Sequence, residues 1–316
     1  MSVGQAHGVS VKPVSRIWLD GKLVPWSEAS VHILTHSLHY GVGAFEGIRC
    51  YKRADGRSAV FRLGDHIDRL FDSCHIATLE SPFAREAIEA ACLETLRSNN
   101  MSSAYLRPIV FLGDGALGLG SLDNPTRVAV ACYEWGAYLG EEGLKKGIRA
   151  KVSSFTRGAS NASMSKGKIT GQYVNSVLAK REVMRAGYSE AILLDPQGQV
   201  AEASGENVFI VKKGRLITPP LSSPILAGIT RDTLLVLARD AQVPVEERSF
   251  ARDEMYLADE MFLAGTAAEI TPVREVDDRK IGAGEPGPTT RRLQEAFFEL
   301  VKGGAQAKYA SWLTFV

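Results

Sequence analysis

Cysteine is scarce and unclustered in this chain: Cys50, Cys74, Cys92 and Cys132 are widely spaced, form no C-x-x-C pair, and have no cluster of histidines beside them. Neither a disulfide framework nor a zinc site is indicated, no metal is expected, and a reducing cytoplasm is the expected compartment. Charge of one sign is also missing. The 37 basic and 36 acidic residues leave a net charge of +1 without long runs, so there is no electrostatic footprint for nucleic acid or a membrane surface, and small molecules are the expected partners. No stretch runs eighteen residues without a charge, and the N-terminal Met1 to Gly8 has no apolar core; neither a membrane span nor secretion is expected. Internal repeats and low-complexity tracts are absent too.

What is present is ordinary globular composition in 316 residues, long enough for two cores of typical domain size. The first half opens on a hairpin, Ile17 to Val24, whose Asp20-Gly21 turn suits a two-residue loop. A second hairpin joins Phe45–Tyr51 to Ser58–Arg62 across Asp55-Gly56. Leu63, Ile67, Leu70, Phe71 and Cys74, then Ile88, Cys92 and Leu96, recur at helical spacing, and strands follow at Tyr105–Leu112 and Arg127–Tyr133. These compose a small α+β domain over 1–135. The four glycines of 136–147 mark an interdomain loop, and 148–316 is the larger C-terminal domain. There, strands at 191–194, 199–203, 207–211 and 216–217 read as consecutive antiparallel neighbours, Thr230 is placed to N-cap a helix over Arg231–Ala241, and further strands are expected at 243–249, 260–264 and 270–276 before a closing helix over 287–301.

Two motifs are rejected on context. Gly113-Asp-Gly-Ala-Leu-Gly118 matches G-x-G-x-x-G, but the residues that follow cannot open the helix a pyrophosphate needs. Ser163-Met-Ser-Lys166 matches S-x-x-K, yet the chain has neither S-D-N nor K-T-G. The same stretch, Ser163 to Tyr173, holds Lys166 and Lys168 in a connection between a strand pattern and a helix pattern. A lysine on such a frame, partly desolvated, can form a Schiff base with the aldehyde of pyridoxal phosphate, although most loop lysines are merely solvated. The other parts that cofactor would need are also in the chain. Gly228-Ile229-Thr230 opens a helix that could receive a phosphate, Gly265-Thr266-Ala267 is a second hydroxyl-bearing turn, and Glu202 or its rival Glu206 could face a ring nitrogen.

Lys168-Ile-Thr-Gly-Gln-Tyr173, Glu202-Ala-Ser-Gly-Glu-Asn207, Gly228-Ile-Thr-Arg-Asp232 and Gly265-Thr-Ala-Ala-Glu-Ile-Thr-Pro272 resemble the signature blocks of the fold-type IV pyridoxal phosphate enzymes. His39-Tyr-Gly41, Phe45-Glu-Gly-Ile-Arg49, Tyr105-Leu-Arg-Pro108, Gly115-Ala-Leu-Gly118 and Trp135-Gly-Ala-Tyr138 narrow the resemblance to the branched-chain amino acid aminotransferases, from about Ile17 to the C-terminal helix. It implies a small N-terminal α/β sandwich-like domain and a larger C-terminal pseudo-barrel, of the D-amino acid aminotransferase-like kind. It puts the Schiff base on Lys168, with Lys166 a bystander. Tyr173 would bond the cofactor's phenolate oxygen, Glu202 would pair with the ring nitrogen, and Arg69, the Ile229 and Thr230 amides and Thr266 would hold the phosphate. Tyr105 with the Thr266 and Ala267 amides would hold the substrate's α-carboxylate, and Arg107 the distal carboxylate of glutamate. Phe45, Trp135, Tyr138 and a partner subunit's Tyr40, Leu117 and Leu119 would wall the pocket, which makes a homo-oligomer the expected state. The implied reaction is a ping-pong exchange between leucine, isoleucine or valine and 2-oxoglutarate. Other fold-type IV enzymes (a D-amino acid aminotransferase, an aminodeoxychorismate lyase, an amine transaminase) are the nearest alternatives. A cofactor-free Schiff-base aldolase and a non-catalytic binding protein lie further off, since neither needs Glu202 or a phosphate site.

Overall fold

The structure is a computed structural model that describes residues 11–121, 123–303 and 307–316; the N-terminal stretch read above through Gly8 lies outside them. The chain divides into two compact units. One comprises Ser10–Trp135, Gly167–Tyr173 and Leu300–Val316, the other mainly Gly136–Lys166 and Val174–Glu299.

In the first unit β1 (Arg16–Leu19) and β2 (Lys22–Pro25) are joined through Asp20 and Gly21, both at positive φ (47° and 93°), the geometry that an Asp-Gly pair selects. There follow α1 (His36–Tyr40), β3 (Gly43–Phe45), β4 (Ile48–Lys52), β5 (Ser58–Phe61), α2 (Leu63–Ile76), α3 (Arg85–Ser98), β6 (Ala104–Leu112) and β7 (Thr126–Tyr133). The sheet runs β5-β4-β6-β7-β1-β2, with β3 on β6 and a C-terminal strand, Leu313–Phe315, on the outer side of β5. That last strand was not expected, because its three residues carry no alternation long enough to read. Period-2 patterning on β6 sends Leu106 and Val110 into a core with Ile67 and Leu70 of α2 and Ile88 and Leu96 of α3. Tyr105, Arg107 and Ile109 take the opposite face, so the helices claim one side of the strand and leave the other for chemistry. Truncating Leu106, which is fully buried, should cost about 2–5 kcal/mol.

The second unit holds α4 (Glu141–Lys146), β8 (Ile148–Val152), α5 (Tyr173–Arg185), β9 (Glu190–Leu194), β10 (Val200–Ala203), β11 (Asn207–Lys212), β12 (Arg215–Thr218), α6 (Ile229–Asp240), β13 (Val245–Glu247), α7 (Arg252–Tyr256), β14 (Glu260–Gly265), β15 (Glu269–Val276), β16 (Arg279–Lys280) and α8 (Pro288–Lys302). The strands run β10-β9-β8-β15-β14-β11, and β11 pairs back onto β10 through Glu202 and Asn207. That closure makes the expected pseudo-barrel a ring of six strands, filled by Ile148, Ile192, Val208, Ile210, Leu263 and Val273. The antiparallel neighbours expected over 191–217 form, and β8 adds parallel pairings to β9 and β15.

Three expectations are corrected. The 136–147 stretch is not all loop: Glu141–Lys146 is helical, with acids in the first turn, lysines in the last and a Glu142–Lys146 pair, an arrangement the helix dipole favours and that the glycines on either side obscured. Thr230 is not the N-cap. Gly228 is, and α6 starts at Ile229, which places Thr230 in its first turn. The strand expected over 243–249 contracts to Val245–Glu247, and the unexpected α7 follows it. Among the described residues no helix is long and apolar enough to cross a membrane. All four cysteines are buried thiols, and burial pushes Cys50 and Cys74 up to about 12 and Cys132 to about 11, which leaves them unreactive near neutrality.

Candidate active site

Residues 167–173 run beside β3. Ile169 bridges Ala44, the Phe45 amide donates to the Lys168 carbonyl at 3.1 Å, and the Lys168 amide donates to Ser73 Oγ at 2.9 Å. With its backbone pinned at both groups, the Cα–Cβ direction of Lys168 is fixed. Its Nζ lies 2.5 Å from Tyr173 Oη and 5.0 Å from the centroid of the Phe45 ring. Lys166 is spent differently. Its Nζ donates to the Ser223 and Ile225 carbonyls at 2.9 and 3.0 Å, and desolvation holds it below the ordinary lysine range despite the attraction of Glu202.

The turn that follows β3 places Glu46 against α2. Glu46 Oε1 and Oε2 accept from Arg69 Nε and Nη2 at 2.7 and 2.9 Å, and Oε2 also meets His66 Nδ1 at 2.7 Å. Burial alone would raise the carboxyl pKa; the charge of Arg69 and the His66 contact outweigh it and hold Glu46 well below the usual range. Burial lowers His66, so a neutral ring donates Nδ1–H to an acceptor-only carboxylate. On the open face of β6, Tyr105 Oη packs so close to Gly47 that a Cβ there would lie 1.7 Å from it; only glycine fits. The Tyr105 and Trp135 rings are 4.6 Å apart. The Arg107 guanidinium sits 4.9 Å over Phe45 and 5.5 Å over Tyr105, and its buried Nε has no hydrogen-bond partner among the described residues. Tyr40 and Leu119 lie at the surface, Leu119 being 90% exposed.

In the barrel unit, Glu202 on β10 is buried. Its Oε1 pairs with Arg157 Nη2 at 2.7 Å, while Oε2 accepts from the Leu226 amide at 3.1 Å and Asn207 Nδ2 at 3.3 Å. A guanidinium and two neutral donors stabilise its charge. Glu206 is different: burial first, and then the nearby Glu190 charge, push it up to about 8. The cap residue of α6 is Gly228, which has no side chain to spend on the amides of the first turn, where Ile229 and Thr230 begin the helix, and a helix N-terminus of this kind suits an anion. Thr266 and Ala267 occupy the β14–β15 turn, enclosed by the Gly265–Glu269 pair. Tyr138 lies 5.2 Å from Lys180 Nζ, beside the barrel core.

Glu206 makes a test of its own. Its folded pKa is raised above the ordinary carboxylate value, so between about 4.5 and 8 the folded state holds the extra proton, and stability falls as pH rises through that window. Glu206→Gln, which mimics the protonated form, should match the parent near pH 5 and exceed it in melting temperature at pH 9. A melting difference that does not change with pH would show Glu206 to be ionised throughout.

The profile of the amino-transferase class IV family matches residues 43–276. The chain belongs to the class IV aminotransferases. A branched-chain-amino-acid aminotransferase of Pseudomonas aeruginosa is 50% identical over 316 residues, 100% of each chain. The crystal structure of the Escherichia coli branched-chain amino acid aminotransferase superposes with a TM-score of 0.92 at 44% identity, covering 95% of this chain and 98% of that one. The branched-chain amino acid aminotransferase of Thermobaculum terrenum, solved in its PLP (holo) form, gives a TM-score of 0.88 at 37% identity, covering 96% of this chain and 98% of that one. The fold is therefore the fold-type IV one that the sequence blocks implied. Sequence reasoning missed Arg157, Glu46, His66 and Ser73, the residues that hold Glu202, Arg69 and Lys168. Each is an unremarked polar residue in a loop or on a helix, and its meaning lies in partners 20 to 95 positions away.

Proposed function

We propose that this class IV aminotransferase exchanges the amino group between leucine, isoleucine or valine and 2-oxoglutarate, with pyridoxal phosphate as cofactor. The donor set suits that group: a lysine amine beside a phenol, a buried carboxylate paired to arginine, and a helix N-terminus whose cap residue is glycine. Lys168 would carry the cofactor, Tyr173 would bond its phenolate, and Glu202 would face its ring nitrogen. Arg69, the Ile229 and Thr230 amides and Thr266 would take the phosphate. When bound, pyridoxal phosphate supplies an aldehyde for amine exchange and a ring that accepts electron density from the substrate carbon. Lys168 Nζ would then carry the proton from the substrate α-carbon to the former aldehyde carbon, and the Tyr173 hydroxyl would orient that amine. Tyr105 with the Thr266 and Ala267 amides would hold the α-carboxylate against walls of Phe45, Trp135 and Tyr138. The exposed Tyr40, Leu117 and Leu119 favour a homo-oligomer in which a partner copy closes the pocket, and four unpaired thiols favour a cytoplasmic enzyme.

The observation that carries the substrate reading is Arg107. A cation whose buried Nε has no hydrogen-bond partner among the described residues, set among aromatic rings on a largely apolar strand face, offers an apolar wall to leucine and a partner to the distal carboxylate of glutamate. Arg107→Met should therefore slow the glutamate half-reaction roughly ten- to a hundredfold, since a charge-assisted hydrogen bond is worth about 1.5–3 kcal/mol, and should change leucine much less. Single-turnover rates read from the cofactor spectrum separate the halves. Equal losses would put Arg107 on the α-carboxylate common to all substrates, and no reaction with leucine in the parent protein would end the branched-chain reading.

A further inference from the structure

Glu46 has no place in the chemistry above, yet it is wholly buried at 0% exposure and binds two residues of one helix face. A buried ion pair is seldom kept for stability, because well-packed apolar side chains of similar volume often do as well or better. Its geometry suggests another use. His66 and Arg69 are three residues apart on α2, so both reach the same carboxylate. The two bonds to Nε and Nη2 hold the guanidinium in one plane, and the His66 bond prevents the carboxylate from turning. The carboxylate itself rides on backbone tied to the lysine segment: the Glu46 amide donates to the Pro108 carbonyl at 2.9 Å, and the preceding Phe45 amide donates to the Lys168 carbonyl at 3.1 Å. One turn along α2, Ser73 Oγ donates to the Arg69 carbonyl at 2.7 Å and accepts from the Lys168 amide at 2.9 Å. Arg69 and Lys168 are thus referred to one frame from two sides.

We propose that Glu46 is a positioning residue which, braced by His66, aims Arg69 at the cofactor's phosphate. The inference rests on the assignment of Arg69 to that phosphate. An arginine side chain left to choose among its rotamers loses affinity for a fixed anion even though its charge is intact. Glu46→Gln keeps the volume but replaces one acceptor oxygen by an N–H₂ that cannot accept from arginine, so in either orientation one of the two bonds that fix the Arg69 guanidinium is lost.

The test compares pyridoxal phosphate with pyridoxal, which lacks the phosphate, by absorbance titration of the full chain stripped of cofactor. Glu46→Gln should weaken pyridoxal phosphate binding by about tenfold and leave pyridoxal unchanged, with Glu46→Asp falling between parent and Gln. A single charge removed from a buried pair can prevent folding, whereas removing both is far better tolerated. The double variant Glu46→Met with Arg69→Met is therefore compared with Arg69→Met, itself a single-charge removal and so titrated only below the melting temperature measured for it, and the two should bind pyridoxal phosphate equally. Equal losses for both ligands in Glu46→Gln, or a further loss of pyridoxal phosphate affinity in the double variant, would overturn the proposal and make Glu46 a folding residue. If Arg69→Met itself does not change the preference for the phosphorylated ligand, it is the assignment of Arg69 that fails, and the role of Glu46 with it.

Discussion

Lys168→Ala should yield a folded protein without the yellow colour of the parent, in which transamination falls on the order of a thousandfold or more, because in the proposed reaction one amine is both the attachment point and the proton carrier. Lys166→Ala should keep the colour. The contrast follows from the two side chains: Lys168 Nζ points at Tyr173 Oη and the Phe45 ring, whereas Lys166 Nζ is engaged by the carbonyls of Ser223 and Ile225. An amine held by two carbonyls would have to break both bonds to react. Borohydride reduction of the parent followed by peptide mapping should find the pyridoxyl group on Lys168. Its recovery on Lys166, or on neither lysine, would refute the assignment. Because Lys166 steadies the loop that leads to Leu226, whose amide bonds Glu202, Lys166→Ala should lower melting temperature more than rate.

The fold was legible in the sequence where a local rule is strong. The Asp20-Gly21 turn, the helical stripes of α2 and α3 and the alternation along β6 all appear in the structure as periodicity and turn chemistry require. Family blocks supplied the barrel, which local patterning could not: its closure depends on a Glu202–Asn207 pairing, and its parallel strand β8 lies beside β15, more than 120 residues away. For the same reason the assignment of Gly167–Tyr173 and Leu300–Val316 to the first unit had no local signal. A three-residue strand at 313–315 belongs with β5 only because the register permits it. At the site, residues with chemistry in their side chains were visible, while those that aim them were not. Nothing near Arg157 in the sequence says that its partner is Glu202, and nothing near Glu46 names Arg69.

Glu202→Gln should retain the cofactor but transaminate on the order of a hundredfold or more slowly, because an electrostatic partner placed before the reaction is worth about that much. In the parent, Glu202 Oε1 faces Arg157, while Oε2 faces the Leu226 amide and Asn207 Nδ2. All these neighbours are donors, so the charge is stabilised from both sides and can in turn favour a protonated ring nitrogen. Glutamine offers one acceptor in place of two. Its oxygen can keep Arg157 only by turning its N–H₂ towards Leu226 and Asn207, and the charge is lost in either orientation. Glu206 is the control, since its carboxyl is pushed up to about 8 by burial and by Glu190 and is already neutral at pH 7. Glu206→Gln should therefore transaminate at nearly the parent rate there. Rates for both variants, measured at one pH on cofactor-saturated protein, rank the two carboxylates. A slower Glu206→Gln than Glu202→Gln would mean that the ring nitrogen is served by Glu206, and the Arg157 pair would then be structural.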